Sequence, residues 1–244
     1  MTLPAALLGR IDGALALLQR VAIEHVPAAL ASSLGAEDMV LTDMIARHKL
    51  EIDIFTLDTG RLHGDTLQLV GEIRRRYGRE VQVVAPDSQA VGDFVARFGR
   101  DAFYGSVELR KRCCQIRKVE PLGRALAGRR AWVSGLRRAQ AATRGAIEFA
   151  EHDAVHGIFK FNPLADWSEQ DIWSYVRFFE VPYNRLHDQG YRSIGCAPCT
   201  RPVAAGEDPR AGRWWWESPG GAGARECGIH FSPEGRLLRD GARA

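Results

Sequence analysis

The sequence contains no apolar run near the length that crosses a bilayer, which excludes a membrane-spanning helix from the reading. Net charge is also scarce. The 33 Lys and Arg against 30 Asp and Glu leave a formal +3, too little to argue for general nucleic-acid binding. Internal repeats are missing, and no linker is clear enough to divide the chain into domains. The start of the chain lacks the layout of a signal peptide; Met1 to Arg20 reads as an amphipathic helix with Asp12 inside it. These absences lead to the expectation of a cytoplasmic protein with neither a membrane nor a nucleic-acid partner. What is present is ordinary globular composition, 45% hydrophobic and 26% charged over 244 residues, enough for one domain with a substantial core.

Apolar residues at helical spacing predict a helix over Leu3–Val26, and a run of small residues predicts a strand over 28–32. Ser32-Ser33-Leu34-Gly35-Ala36-Glu37-Asp38 follows, then a helical pattern from Met39 to His48. Strand, Ser/Gly turn and helix together present backbone N–H groups and a helix N-terminus to an anion. Further strands are expected at Glu51–Leu57, Glu80–Ala85, Ala131–Ser134 and Ile158–Phe161, and helices at His63–Tyr77, Val91–Phe98 and Val107–Leu126. Another helix begins at Trp167, with Ser168 as N-cap and Asp171 as the acid of a capping box. Beyond Pro182 regular periodicity fades. The alternation predicts a single-domain α/β fold with a largely parallel sheet flanked by helices, whose ligands bind at the carboxyl ends of the strands. The turns at Ser32, Asp58 and Gly135 all occupy that position, which points to a nucleotide-like ligand.

Five cysteines in a reducing compartment read as ligands or redox thiols rather than structural disulfides. Cys113-Cys114 and Cys196-Ala197-Pro198-Cys199 form two pairs. A dithiol redox site, a four-cysteine zinc site and an iron–sulfur cluster all compete for them. Arg110, Lys111, Arg112, Arg117 and Lys118 beside the first pair suit an anionic cluster, or else form a solvated helix face. Arg137, Arg138 and Arg144 follow the fourth expected strand, and Arg201, Arg210 and Arg213 follow the second cysteine pair. A guanidinium pairs bidentately with phosphate or sulfate oxygens. Trp214-Trp215-Trp216 is either core packing or a means of placing Arg213. His63, His152 and His156 carry no pattern that implies a role.

The fifth cysteine lies in Glu226-Cys227-Gly228-Ile229-His230, after the loose segment Pro219-Gly220-Gly221-Ala222-Gly223. A thiol on such an arm, beside a glycine that admits a ligand and a histidine that stabilises a thiolate, reads as a nucleophile or as a tail cysteine with no role.

Taken in order, these segments resemble the assimilatory sulfonucleotide reductases, specifically the adenylyl-sulfate (APS) reductases. The resemblance rests on a modified PP-type loop at Ser32–Asp38, Leu57-Asp58-Thr59-Gly60, Gly135-Leu136-Arg137-Arg138, the two cysteine pairs and the terminal Glu-Cys-Gly-Ile-His. It implies one 4Fe–4S cluster on Cys113, Cys114, Cys196 and Cys199. It also implies that Cys227 is the nucleophile, that Lys118, Arg210, Arg213 and His230 contact the phosphosulfate, and that Ser32, Ser33, Gly35, Leu57, Thr59, Gly135, Arg137 and Arg144 line the nucleotide pocket. The loop departs from ATP-cleaving PP-loop relatives by its poorer Ser and Gly content, which fits binding a nucleotide without cleaving an α–β bond. The implied division is a nucleotide- and cluster-binding unit over 1–217 and a flexible tail over 218–244 carrying Cys227. Thioredoxin, or a glutaredoxin-like protein, is the implied reductant, and a homo-oligomer is open. PAPS reductases share the terminal motif but typically lack the four cluster cysteines, so APS is the expected substrate. A non-catalytic zinc- or nucleotide-binding protein and an ATP-cleaving PP-loop enzyme are the remaining alternatives.

Overall fold

A computed structural model describes residues 2–141 and 144–217 together with Ile229. The strands are β1 (Ala28–Ala31), β2 (Ile52–Leu57), β3 (Gln82–Val84), β4 (Ala131–Val133), β5 (Ala150–Asp153) and β6 (Ile158–Phe161). They form one sheet in the order β3-β2-β1-β4-β6-β5, parallel except for the last pair. The helices are α1 (Ala5–Glu24), α2 (Ala36–Arg47), α3 (Gly64–Tyr77), α4 (Ser88–Phe98), α5 (Val107–Cys114), α6 (Glu120–Leu126) and α7 (Glu169–Phe178).

The two faces of the sheet follow from the period of two along each strand. Ala28 and Leu30 of β1, Ile52 and Ile54 of β2, and Ala131 and Val133 of β4 pack on α1, α2, α3 and α7. Ala29, Phe55 and Trp132, one residue out of phase, pack on Leu122, Ala125 and Leu126 of α6. Helix α2 is buried along nearly its whole length, Met39 to Ile45 included, because α1, α3 and α7 surround it. Its buried polar residues are paired: the Thr42 hydroxyl donates to the Asp38 carbonyl at 2.8 Å, and Asp43 accepts from the Tyr175 hydroxyl at 2.8 Å.

Several elements differ from expectation, α2 among them, which starts three residues early at Ala36. Edge strand β5 has no apolar alternation to announce it. It is held by polar side chains instead: Glu151 faces Lys160 across the ladder, with a 2.9 Å ion pair, and the Trp132 indole N–H donates to Asp153 at 3.0 Å. The continuous helix expected over Val107–Leu126 is interrupted by a π-helical turn at Gln115–Val119. Pro121 has no N–H for the carbonyl four residues back, so the ladder widens just before it. Helix α4 starts three residues early, at Ser88, because the Asp87 carboxylate caps it by accepting from Ala90 N–H at 2.7 Å. The capping box at Ser168 and Asp171 is present.

The strand order reverses at β1, whose neighbours are β2 on one side and β4 on the other. A crevice opens at such a switch point, beyond the strand C-termini. The turns after β1, β2 and β4 meet there.

Candidate active site

The turn after β1 is organised by one acid. Asp38, in the first turn of α2 and 6% exposed, accepts from Ser33 N–H at 2.7 Å and from the Ser33 hydroxyl at 2.6 Å. Its other oxygen accepts from Gly135 N–H, after β4, at 3.1 Å. Burial pushes the Asp38 carboxyl up to about 6; the Ser33 and Gly135 bonds pull it down, and the neighbouring Glu37 charge adds to the rise. Gly135 has to be a glycine: a Cβ there would meet the Asp38 carboxylate and lie 2.9 Å from Glu37 Cβ. Glu37 accepts from Arg137 Nη2 at 2.7 Å and from Gln140 at 3.0 Å. Burial works against its charge, but Arg137 outweighs burial and holds Glu37 below the usual carboxylate range. Arg137 is itself 6% exposed and donates to the Trp167 carbonyl at 3.2 Å.

These turns wall a cleft of about 1140 Å³. Every described residue expected in the nucleotide pocket lines it: Ser32, Ser33, Gly35, Leu57 and Thr59 from the turns of β1 and β2, and Gly135, Arg137 and Arg144 from the segment after β4. Lys118 on the π-helical turn, with Arg210 and Arg213, lines it as well. The sequence reading did not single out the opposite wall, from α7 onward, with Ile172, Trp173, Tyr183, His187 and Tyr191. Its second half lies beyond Pro182, where periodicity fades, and only folding brings both halves over the strand ends.

A second, small cavity of about 20 Å³ adjoins the cleft, and all four cysteines Cys113, Cys114, Cys196 and Cys199 line it. Lys118 and Trp214 line both spaces. The Cys196–Cys199 turn is drawn in by backbone bonds, Ala197 N–H to the Arg61 carbonyl at 2.7 Å and Trp214 N–H to the Cys199 carbonyl at 3.1 Å. Thr59 serves this turn too, since its Oγ1 lies 3.2 Å from Cys196 Sγ. The basic helix divides: Arg110 and Arg117 are buried and Lys118 lines the cavity, whereas Arg112 is exposed and stacks on Phe98 at 5.1 Å. Burial opposes the Cys196 thiolate, yet Lys118, the Thr59 hydroxyl, Arg213 and Arg117 together bring the thiol below its ordinary pKa. Cys113 is raised by burial despite Arg117, and Cys199 is pushed up to about 12 by burial and by the adjacent Cys196. Among the described residues, no group of three or more His, Cys, Asp or Glu side chains is arranged to hold one metal ion.

Trp214 sets the position of Arg213. Its ring, 1% exposed, lies between the Arg213 guanidinium at 4.7 Å and the Arg110 guanidinium at 4.6 Å. Arg110 in turn forms a two-pronged pair with Glu217, including Nη2 to Oε2 at 3.1 Å. Gly195 leaves room for Arg213, because a Cβ at that position would lie 2.5 Å from its Nη2. Cys227 and His230 lie outside the described residues. Ile229, between them in sequence, lines the cleft and packs against the apolar cluster of α6 and the strand ends. His63 meets Tyr191 edge to face at 5.5 Å, His156 pairs with Asp153 at 2.7 Å, and His152 lies against Phe159.

A mostly parallel sheet with a cleft at its switch point, walled by a Ser/Gly turn and cationic side chains, defines a nucleotide-binding α/β protein. Comparison with known proteins narrows the class. The phosphoadenosine phosphosulfate reductase domain family matches residues 27–202. The adenosine 5'-phosphosulfate reductase of Allochromatium vinosum is 53% identical over 227 residues, covering 92% of this chain and 88% of that protein. That of Neisseria meningitidis is 55% identical over 214 residues, covering 87% and 86%. Among solved structures, phosphoadenylyl-sulfate (PAPS) reductase from Candida auris aligns with a TM-score of 0.67 at 25% identity, over 82% of this chain and 99% of that one. Candida glabrata FMN adenylyltransferase in complex with ATP shares the fold, with a TM-score of 0.57 at 16% identity over 84% and 68%. The chain belongs to the sulfonucleotide reductase family, with adenosine 5'-phosphosulfate reductases as its curated relatives.

Proposed function

We propose that this chain reduces adenosine 5'-phosphosulfate to sulfite and AMP, with Cys227 as nucleophile. The observation that carries the reading is a convergence: Lys118, Arg210, Arg213 and Ile229 of the Glu-Cys-Gly-Ile-His stretch all line one cleft with the turns of β1, β2 and β4. In the first step the Cys227 thiolate attacks the sulfate sulfur, the bridging S–O bond breaks, and AMP leaves with the electron pair. A dithiol reductant of the thioredoxin or glutaredoxin type then attacks Cys227 Sγ, sulfite departs, and the second thiol resolves the mixed disulfide. The two thiols supply both electrons. Lys118, Arg210 and Arg213 offset the repulsion between thiolate and sulfate and the charge that grows on the leaving phosphate, and His230 assists at the same group.

The four-cysteine cavity fits a 4Fe–4S cluster. Its thiols form no disulfide, line one space and sit among Arg110, Arg117 and Lys118. A single zinc would require the sulfurs to converge on one point at roughly 2.3 Å, whereas each thiolate of a cluster serves a different iron. When bound, the cluster supplies charge and rigidity next to Lys118. Among the described residues no helix is long and apolar enough to cross a membrane, and four cysteines outside any disulfide suit the cytoplasm.

Incubation with APS and no reductant tests the reading: one sulfonate mass should appear on Cys227, and an adduct surviving in Cys227→Ser would refute the assignment. The Candida auris likeness favours a second substrate, PAPS. Parallel assays decide, and a strong preference for PAPS would overturn APS. Metal analysis of anaerobically purified protein should find iron rather than zinc.

A further inference from the structure

A strand–turn–helix junction holds a phosphoryl group when successive loop N–H groups point out at it. Here they are turned inward. Ser33 N–H donates to Asp38 Oδ2 at 2.7 Å, Leu34 N–H to Ser32 Oγ at 3.1 Å and Gly35 N–H to Ser33 Oγ at 3.3 Å. The facing Gly135 N–H donates to Asp38 Oδ1 at 3.1 Å, and the Ser33 hydroxyl adds a donor to Oδ2 at 2.6 Å. A buried carboxylate of the chain itself thus takes the Ser33 and Gly135 N–H groups and the Ser33 hydroxyl, and the Ser32 and Ser33 hydroxyls take the Leu34 and Gly35 N–H groups, so these donors are not left for ligand oxygens.

We infer that Asp38 is a specificity-determining residue that closes the Ser33–Gly35 loop to phosphoryl groups, so that the cleft rejects a pyrophosphate tail in the loop. A second anion there would meet an internal negative charge at low dielectric and find no spare donor among these amides, so it would lose hydration without replacement. The Ser33–Gly35 segment then acts as a wall, and the anionic end of a ligand is directed to Lys118, Arg210 and Arg213. Rejection through an unpaired, repelled group discriminates more sharply than a gain of contact elsewhere. The inference rests on the nucleotide reading of the cleft.

The test measures binding of AMP and, separately, of inorganic pyrophosphate to the full chain, to Asp38→Ser and to Asp38→Asn. AMP reports on the cleft reading and pyrophosphate on Asp38, so the two fail separately. Pyrophosphate should bind Asp38→Ser about tenfold or more tighter than wild type, with Asp38→Asn between them. Unchanged pyrophosphate affinity in a folded Asp38→Ser would overturn the inference. A wild-type readout covers the case in which the variants do not fold: during titration with pyrophosphate, the NMR amide signals of Ser33, Leu34 and Gly35 should stay in place. Movement of those three signals would also overturn it.

Discussion

The Ser32–Gly35 loop and the cysteine cavity flank the same cleft and handle charge in opposite ways. In the loop, one internal carboxylate collects N–H and O–H donors, and the result repels anions. Around the thiols, cations do the collecting, and at Cys196 they outweigh burial and favour the thiolate, whereas burial still raises Cys113 and Cys199. The two regions share one device. Each is pinned by an Arg–Glu pair between residues far apart in sequence, half-buried Glu37 with Arg137 and buried Glu217 with Arg110. Each also carries a bulky buried residue in the left-handed region, Leu34 at φ 61° and Trp214 at φ 45°. That conformation costs about 1–2 kcal/mol in an ordinary residue. Burying a Leu or Trp side chain offsets it, so both turns are held by packing rather than by local preference.

The largest expected effect falls on the cationic side. Cys227→Ser should lower sulfite production by about 10³-fold or more while AMP affinity stays within error; lost affinity would show that the residue shapes the site rather than reacting. Next is Glu217→Ala, which removes the carboxylate that pairs with the buried Arg110 guanidinium. It should cost about 3–5 kcal/mol in urea denaturation and lower the iron content per chain. An unchanged midpoint would show that the Glu217 pair does not hold Arg110 in place.

The anionic side gives a pH effect with a definite sign. Asp38 is raised from 3.8 to about 6, so its contribution to stability is complete below the unfolded value and is lost as pH rises through about 6. The difference in stability between wild type and Asp38→Asn should therefore shift against wild type between pH 4 and pH 7, on the order of 2–3 kcal/mol. A flat difference would mean that the Ser33 and Gly135 donors cancel burial. The smallest effect is expected for Gly135→Ala. Its Cβ would press on the Asp38 carboxylate and on Glu37 Cβ, costing about 1–3 kcal/mol and loosening AMP binding. If AMP affinity fell without loss of stability, the glycine would be serving ligand approach instead.

Legibility in the sequence tracks locality. Parallel strands with small or β-branched residues are legible within a residue or two, and Ile158–Phe161 to the residue. Strand β5 escapes because Ala150–Asp153 is held by Lys160 and Trp132, partners that no local pattern announces. The Ser32–Asp38 segment is recognisable as an anion-binding geometry. That Asp38 occupies its donors depends on side-chain direction, which residue order does not report. The cysteine pairs can be grouped by count, but Thr59 beside Cys196 joins residues 137 positions apart. The role of Trp214 between two guanidiniums needs the fold as well.

The sequence by itself determined the α/β alternation, the two cysteine pairs, the odd fifth cysteine and the cluster of basic residues, because each depends on residue type and short spacing. Tertiary structure alone decided that the turns of β1, β2 and β4 share one crevice, that Lys118 stands between the cleft and the thiols, and that Asp38 faces inward. The physical reason is that burial, opposing charges and hydrogen-bond direction are properties of packing, and packing joins segments that the order of residues keeps apart.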